Sequence, residues 1–282
     1  MSDMVVATYP FNWDAFFGYL FTPNHMVLNG IRLTIIIAVI SEFIGVVLGV
    51  LLALARMSRS WLLRRASAIY IWFFRGTPLL VQIAIVYFAG FPFFGLPIFG
   101  GYSWGDVTVF GAVIPGRVLA GIFALSANEG AYMAEIVRGG ITGVDAGQLE
   151  AARSIGMTRA LAMRLVVLPQ AARLIVPPLG NQFNMMLKTT SLLSVISVVE
   201  LYTASSIVQG QTFQPFEVFF AAAIYYLIMT SIWNFIQNRA EKRLGRGWGE
   251  EAGTEGRLTT RLFGRGLASR GQAAVSLDGR LG

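Results

Sequence analysis

The chain is dominated by long runs of apolar residues that carry almost no charge. Three runs, at residues 28–54, 67–95 and 218–238, each exceed the roughly 20 residues that a helix needs to cross a bilayer. Only 13% of the residues are charged, against about 25% in soluble domains. In lipid, a single helix satisfies its own backbone hydrogen bonds. The sequence therefore predicts an all-α, polytopic integral membrane protein.

The number of crossings follows from the positions of the basic residues. A further run, 113–137, contains charges, and the stretch 165–217 contains prolines and polar residues. Arginine clusters follow the first run, the 113–137 run and the last run, so the positive-inside rule places all three of these ends in the cytoplasm. One crossing must then lie within 165–217. The sequence predicts five transmembrane helices, with the N-terminus outside and the C-terminus in the cytoplasm.

This topology divides the chain into three regions. Residues 1–27 form a predicted periplasmic or extracellular segment, and residues 28–244 form the transmembrane domain. Residues 245–282, rich in Gly, Arg, Ser and Glu, are predicted to be a disordered, basic cytoplasmic tail. The net charge of +7 comes from basic residues between and after the apolar runs. These residues act as topology signals, so we expect no nucleic-acid partner.

The residue types present exclude several kinds of catalytic site. The chain has no cysteine, so thiol nucleophiles, disulfides and thiolate metal sites are impossible. Its one histidine, His25, precedes the first apolar run and supports neither a multi-histidine metal centre nor a Ser–His–Asp triad. Neither Lys188 nor Lys242 lies in a phosphate-binding Gly-x-x-x-x-Gly-Lys-Ser/Thr loop. We expect no metal, no cofactor and no ATP hydrolysis by this chain.

Two short helices are predicted in the cytoplasmic loop between the third and fourth spans, at about 139–169. Asp145, three residues before Gln148, forms a predicted capping pair at the start of the first helix. Gly156 suits a left-handed end to that helix. Thr158 is a predicted cap of the second helix.

The stretch EAARSIGMTRALAMRLVVLP, which starts at Glu150, resembles the EAA motif of the permease subunits of type I ATP-binding-cassette (ABC) importers. In that family an Ala-rich helix docks in a cleft on the ATPase subunit and moves with it. The resemblance implies a coupling element formed by Gln148, Glu150, Ala151, Ala152, Arg153 and Gly156.

Three more stretches resemble the polar amino-acid uptake subfamily, whose members carry histidine, arginine, glutamine or glutamate. They are FFRGTPLLVQ (73–82), AYMAEIVRGGI (131–141) and KTTSLLS (188–194). In the first of them, Gly76 and Pro78 are interpreted as the start of the second span.

The resemblance implies a permease of the cytoplasmic (inner) membrane that imports polar amino acids. Its implied partners are two ABC ATPase subunits, a second permease copy or a sister permease, and a periplasmic or lipid-anchored solute-binding protein, together with membrane lipid. An opine, cystine or a compatible solute remains open as cargo. The alternatives are an ATP-independent carrier or channel that uses intramembrane carboxylates, and a membrane enzyme, for which no nucleophile–base or metal constellation is present.

An ionisable residue inside a span indicates a structural or functional role, because inserting its charged side chain at mid-membrane costs roughly 2.5 to 3.5 kcal/mol. On the third span Asn128, Tyr132 and Glu135 share one helical face, and Glu129 lies beside it. We expect Asn128, Glu129 and Tyr132 near the height of the cargo. Glu135 and Arg138 are predicted to pair, either as a structural ion pair, which we favour, or as a gate.

Three other polar residues are candidates for the translocation path. Glu42 interrupts the first span and must face a cavity or a partner helix, where it would contact cargo or a neighbouring hydroxyl. Asn181 and Lys188 flank a stretch that Pro177 and Pro178 are predicted to break. They would line the path or bond the carbonyls freed by the prolines.

Overall fold

The computed structural model describes residues 11–89, 105–109 and 112–245. The first ten residues of the predicted external segment, and residues 246–282 of the predicted tail, lie outside this part. The helices are α1 (Trp13–Phe21), α2 (His25–Arg56), α3 (Trp61–Gly76), α4 (Leu79–Ala84), α5 (Gly116–Thr142), α6 (Ala146–Ser154), α7 (Arg159–Ala162), α8 (Leu168–Thr189), α9 (Leu201–Thr212) and α10 (Pro215–Gly245). π-Helical turns Ile85–Ala89 and Met163–Val167 follow α4 and α7, and a 3-10 segment, Thr190–Ile196, follows α8.

A short hairpin precedes α5 and corrects the all-α prediction. Strands β1 (Val107–Val109) and β2 (Ala112–Ile114) pair antiparallel, with Val107 opposite Ile114. Their sequence is rich in β-branched residues, which favour extended backbone. Pro115 then caps α5, and the Asp106 carboxylate accepts the Gly116 N–H at 2.9 Å.

Three helical stretches are long and apolar enough to cross a membrane: His25–Arg56, Arg159–Ile196 and Pro215–Arg243. The pair Trp61–Gly76 and Leu79–Phe88 makes a fourth if it is counted as one bent span. Helix α5 has 27 residues, but it also carries charges. Helix α9 has 12 residues, or about 18 Å at 1.5 Å per residue, which is shorter than the hydrocarbon core. The polytopic helical architecture is as predicted, and the five-span count depends on α5.

The FRGTP segment bends a helical pair where the sequence was predicted to start a span. Helix α3 ends at Gly76 and Pro78 is the N-cap of α4, and the two helices meet at an angle of 107°. Thr77 is extended, with φ −117° and ψ 148°, because a residue before proline is disfavoured in the helical region. A helix does begin after Pro78, as predicted, but α3 precedes it, and whether this segment opens the second span stays a prediction.

Helix α8 continues through Pro177 and Pro178, where the sequence predicted a break. Each proline removes one backbone donor and strains the helix. Side chains of the neighbouring helix α10 donate hydrogen bonds to the backbone of this part of α8. Trp233 Nε1 donates to the Gly180 carbonyl at 2.7 Å, and Gln237 Nε2 donates to the Pro177 carbonyl at 3.2 Å. These tertiary hydrogen bonds fix a stretch whose own sequence favours a break.

Small residues bring α2 and α5 into close contact. A Cβ atom on Gly130 would lie 2.7 Å from Leu48 Cδ2, and Gly49 packs directly against Met133. Met133 is fully buried. Close approach of this kind is typical of small residues at membrane helix interfaces, and it fixes the face that α5 turns away from α2.

Helix α1 is fastened to the start of α10. The Asn12 N–H donates to Glu217 Oε1 at 2.7 Å, and the Tyr19 hydroxyl donates to Gln214 Oε1 at 2.7 Å. The Tyr225 hydroxyl donates back to the Tyr19 carbonyl at 2.9 Å. The predicted external segment therefore contains an ordered helix with partners on the last helix.

Candidate functional site

A cavity of about 420 Å³ lies between the α3–α4 bend, α5 and α8. We call it the α5–α8 cavity. Its volume lies within the range of about 300–1,000 Å³ that is usual for small-molecule sites. The residues that line it are Thr77, Pro78, Leu79, Leu125, Asn128, Glu129, Tyr132, Gln182, Met185, Met186, Thr189 and Leu192.

Three residues that the sequence predicted for the translocation path line this cavity together: Asn128, Glu129 and Tyr132. Glu129 is 6% exposed and is the only charged residue among the described lining residues. Gln182 Nε2 of α8 donates to Glu129 Oε1 at 3.2 Å. Nowhere in the described ranges do three or more His, Cys, Asp or Glu side chains cluster in a way that would hold a metal ion. The cavity is therefore organised around one buried carboxylate.

Asn128 is fastened to the α3–α4 bend through Gln82, the last residue of the FFRGTPLLVQ stretch, which was not predicted to be a site residue. The Asn128 amide donates to Gln82 Oε1 at 2.9 Å and to the Phe74 carbonyl at 3.1 Å. The Gln82 amide donates to the Phe74 carbonyl at 2.8 Å and to the Thr77 carbonyl at 3.0 Å. These carbonyls have lost their helical partners because α3 ends here. Gln82 could have been noticed in the sequence, because it is a polar residue inside an apolar segment.

The opposite side of Tyr132 contacts a cation. The Arg75 guanidinium lies over the Tyr132 ring, 5.5 Å from its centroid, within the range of a cation–π interaction. One turn along α5, Glu135 Oε2 and Arg138 Nη2 form an ion pair at 2.7 Å. Neither member of this pair lines the cavity. Whether the pair is structural or a gate stays a prediction.

The other three path candidates do not line the cavity. Glu42, on α2, is 6% exposed, and neither of its carboxylate oxygens has a hydrogen-bond partner among the described residues. It lies within electrostatic reach of Glu129. Asn181 Oδ1 accepts from Gln237 Nε2 at 3.2 Å, and Lys188 is exposed on α8. Their roles in transport stay predictions.

The loop that the sequence places in the cytoplasm has the local structure that the sequence predicts. The Asp145 side chain caps α6 by accepting the Gly147 N–H at 2.7 Å. Gly156 follows α6 with φ +87°, a left-handed conformation that glycine adopts without strain. The Thr158 hydroxyl caps α7 by accepting the Leu161 N–H at 3.3 Å. Caps and glycine together hold two short helices at a sharp turn.

Most of the predicted coupling residues are exposed on this loop. Ala152 is the exception, since it is 4% exposed and packs α6 against the rest of the chain. Ile155, which follows α6 directly, is 75% exposed and was not singled out from the sequence. Gly156 could have pointed to Ile155 in the sequence, because the chain turns sharply at this glycine and the residue before it lies at the exposed end of α6. The exposed predicted residues are Gln148, Glu150, Ala151, Arg153 and Gly156.

Known proteins match this chain over the region that contains both the α5–α8 cavity and the loop with α6. Residues 45–246 match the family described as binding-protein-dependent transport system inner membrane component. The arginine transport system permease protein ArgU of Corynebacterium glutamicum is 35% identical over 272 residues, covering 96% of this chain and 81% of that protein. The glutamine transport system permease protein GlnP of Escherichia coli (strain K12) is 32% identical over 234 residues, covering 83% and 98%.

A solved structure is similar to this chain in both fold and sequence. A chain from the crystal structure of an amino acid ABC transporter with histidines is 38% identical, with a TM-score of 0.68, covering 79% of this chain and 95% of that chain. The family match includes α5, the loop with α6 and α7, and α8. Proteins of this kind are membrane transport components, and their ATPase is a separate subunit. The chain therefore belongs to the family of inner-membrane permease components of binding-protein-dependent ABC importers.

Proposed function

We propose that the chain passes a polar amino acid through the α5–α8 cavity and that α6 transmits the movement of the ATPase to this cavity. The observation that carries the proposal is the cavity itself, which gathers Asn128, Glu129, Tyr132 and Gln182 around about 420 Å³ of space. A buried carboxylate at that position is suited to an ammonium or guanidinium group. Two relatives are named for arginine and glutamine transport, which supports an amino-acid cargo.

The proposed topology has five spans, with α5 as the crossing that contains the cavity wall. Helix α5 has 27 residues, enough for about 40 Å at 1.5 Å per residue. Its charged residues are tolerated in a membrane only against protein or a water-filled cavity. Glu129 meets that condition, because it contacts Gln182 and the cavity. The N-terminus is then outside and the C-terminus is in the cytoplasm.

Coupling is proposed to act through the exposed surface of α6 and the turn after it. Helix α6 is joined to the base of α8, since Gln170 Nε2 donates to Gln148 Oε1 at 3.4 Å. Ala152 of α6 is buried, and α6 contacts the π-helical turn Met163–Val167 that leads into α8. A displacement of α6 therefore reaches α8, which forms one wall of the cavity. Rigid-body movement of this kind is the usual basis of alternating access.

The proposed assembly contains two ATPase subunits, a second permease copy or sister permease, and a solute-binding protein outside the membrane. The family match supports each of these partners. An ATP-independent carrier would leave the exposed α6–Gly156 surface without a purpose. The importer assembly gives that surface a partner, because the ATPase approaches from the cytoplasm.

Reconstitution in proteoliposomes tests the proposed function. The permease, its ATPase and its solute-binding protein are combined, and uptake of labelled arginine, lysine, glutamine and glutamate is followed. We expect uptake that requires both ATP on the cytoplasmic side and the binding protein. Equal uptake without ATP would support the carrier alternative and contradict the proposal.

Gly156 provides the matched test of coupling. At φ +87° a β-branched side chain costs roughly 1–2 kcal/mol or more, whereas asparagine tolerates this conformation. We expect Gly156→Val to insert and bind cargo but to lose ATP-driven uptake, and Gly156→Asn to keep most of it. Normal uptake by Gly156→Val would contradict the coupling role.

A further inference from the structure

We propose that helix α1 lies in the outer surface of the bilayer, where one side of the helix binds the boundary between lipid headgroups and acyl chains. That side carries Trp13, Phe17 and Phe21, and we call it the α1 aromatic face. It has no part in the proposed passage of cargo. The position at the bilayer surface follows from contacts within the chain, and only the choice of the outer side rests on the proposed topology.

The rings of the α1 aromatic face form a continuous exposed surface. Trp13, Phe17 and Phe21 recur every four residues, which places them on one side of the helix. They are 63%, 46% and 73% exposed. Successive rings are in contact, with centroids 6.1 Å apart between Trp13 and Phe17 and 6.0 Å apart between Phe17 and Phe21. An exposed apolar surface of this size indicates a partner, because its contact with water is unfavourable.

The other sides of α1 have different surroundings. Phe16 is buried, and the Tyr19 hydroxyl donates to Gln214 Oε1 at 2.7 Å, so these residues mark the side that packs on the protein. Asp14 is exposed at the border of the aromatic face. Residues 11–24 contain no Lys or Arg. Helix α1 therefore has one side for protein, one for an apolar partner and one for water, which is typical of a helix in the bilayer surface.

Two spans fix the height of α1 at the membrane surface. Helix α1 ends at Phe21, four residues before α2 begins at His25. The Asn12 N–H donates to Glu217 Oε1 at 2.7 Å, in the first turn of α10. Both α2 and α10 are long and apolar enough to cross a membrane, so α1 lies at the level where both begin. Its nine residues measure about 14 Å, too short to cross the hydrocarbon core.

The α1 aromatic face continues onto the exposed side of a span. The Phe11 ring contacts Trp13, with centroids 4.8 Å apart, and Phe220 of α10, with centroids 6.1 Å apart. Phe220 is itself exposed. The lipid that borders this side of α10 therefore reaches the rings of α1 without interruption. Aromatic side chains are enriched at this level of membrane proteins, where their rings lie among the headgroups.

The solute-binding protein matches this face less well than lipid does. It has to release in every transport cycle, and an interface that forms and dissociates is about as polar as the rest of a protein surface. The α1 aromatic face instead consists of three large rings with the single Asp14 carboxylate at its border. Lipid covers such a face throughout the cycle, so the rings do not return to water.

Site-directed spin labelling tests the proposal, because the chain contains no cysteine and one introduced thiol is labelled selectively. Phe17→Cys, Asp14→Cys and Ser60→Cys permeases are labelled, combined with the ATPase and placed in phosphatidylcholine nanodiscs. Collisions of each label with oxygen and with a nickel chelate are then measured. We expect the label at 17 to favour oxygen and to lie about 5–10 Å below the headgroup surface. Asp14→Cys, on the bordering side, is the matched control and should favour the nickel chelate, and Ser60→Cys, at an exposed position of the α2–α3 turn, gives the aqueous reference.

Three outcomes would overturn the proposal. Nickel access at 17 equal to that at 60 would place the face in water. Exclusion of both reagents, with dipolar broadening between two labels, would show that a second permease covers it. Protection that appears only when the solute-binding protein is added would assign the face to that protein.

The unmodified complex provides a second measurement if Phe17→Cys disturbs α1. Phosphatidylcholine with a diazirine at the start of its acyl chain is activated by light, and the adducts are located by mass spectrometry. We expect adducts on the peptide that contains residues 11–24 as well as on α10. Labelling of α10 without labelling of α1 would contradict the proposal.

Discussion

Gly45 of α2 lies so close to Glu129 of α5 that a Cβ atom added to Gly45 would stand 2.7 Å from both Cβ and Cγ of Glu129. The backbone of α2 therefore packs behind the Glu129 carboxylate, which lines the α5–α8 cavity. Glu129 is held between this support and the Gln182 amide on the other side. The packing of α2 against α5 therefore positions the carboxylate that is proposed to contact the cargo.

We predict that Gly45→Ala disturbs this support. The added methyl group overpacks the interface, which typically costs about 1–3 kcal/mol, and displaces Glu129 towards the cavity. The unfolding midpoint of the purified protein should fall, and ATP-driven uptake should fall with it. Gly139→Ala on α5 is the matched control, because nothing lies within 4 Å of the position of its Cβ. Equal effects of the two substitutions would contradict the packing argument.

Gln82 is predicted to hold the α3–α4 bend. Gln82→Met keeps the length of the side chain but leaves the Phe74 and Thr77 carbonyls without the Gln82 donor, at about 1–3 kcal/mol for each group that stays unsatisfied. Hydrogen exchange across residues 73–82 should rise, together with a lower unfolding midpoint. Gln211→Met, at an exposed position of α9, should have no such effect. Unchanged exchange in the Gln82 variant would show that the bend is held by other contacts.

Ile155 is predicted to be part of the ATPase contact. The side chain is 75% exposed beside the Gly156 turn, where an apolar group is available to enter a cleft. Ile155→Asp should lower the amount of ATPase that co-purifies with the permease and abolish uptake, while membrane insertion and stability stay as in the wild type. Met57→Asp, at an exposed position of the α2–α3 turn, serves as the control. Full ATPase association with aspartate at 155 would rule the contact out.

Glu42 is predicted to be replaceable by its neutral isostere. Both of its oxygens lack hydrogen-bond partners within the described ranges, and Glu129 is close to it. An ionised carboxylate is unfavourable there, so Glu42→Gln should preserve or raise the unfolding midpoint. Because Glu42 does not line the cavity, the apparent KM for uptake should stay within about twofold of the wild type. A KM increase matching that of Glu129→Gln would instead make Glu42 a cargo contact.

The helix caps and the turn of the loop were predictable, because the residues that form them are close together in the sequence. Asp145, Thr158 and Gly156 define the loop helices through contacts two or three residues away. Asn128, Glu129 and Tyr132 could be placed together because helical periodicity brings them onto neighbouring faces of one helix.

The features that sequence analysis missed depend on contacts between distant segments. Gln182 and Glu129 are 53 residues apart, so no local pattern joins them. Pro177 favours a break, and the donors that hold α8 there come from α10, 60 residues further along at Gln237. A helix begins after Pro78, as the sequence predicted. The bend between α3 and α4 was not predicted, and Asn128, which contacts it through Gln82, lies 46 residues further along the chain.

The bonds between α1 and α10 also set an order of events in biogenesis. The Asn12 N–H and the Glu217 carboxylate that accepts from it are 205 residues apart. At about 5–20 residues per second, synthesis of that distance takes on the order of 10 to 40 s. Helix α1 leaves the ribosome before α10 and waits this long for the residues that fix it. Helix α1 thus gains these contacts only after α10 has been made, and a chain that stops before α10 leaves it without those partners.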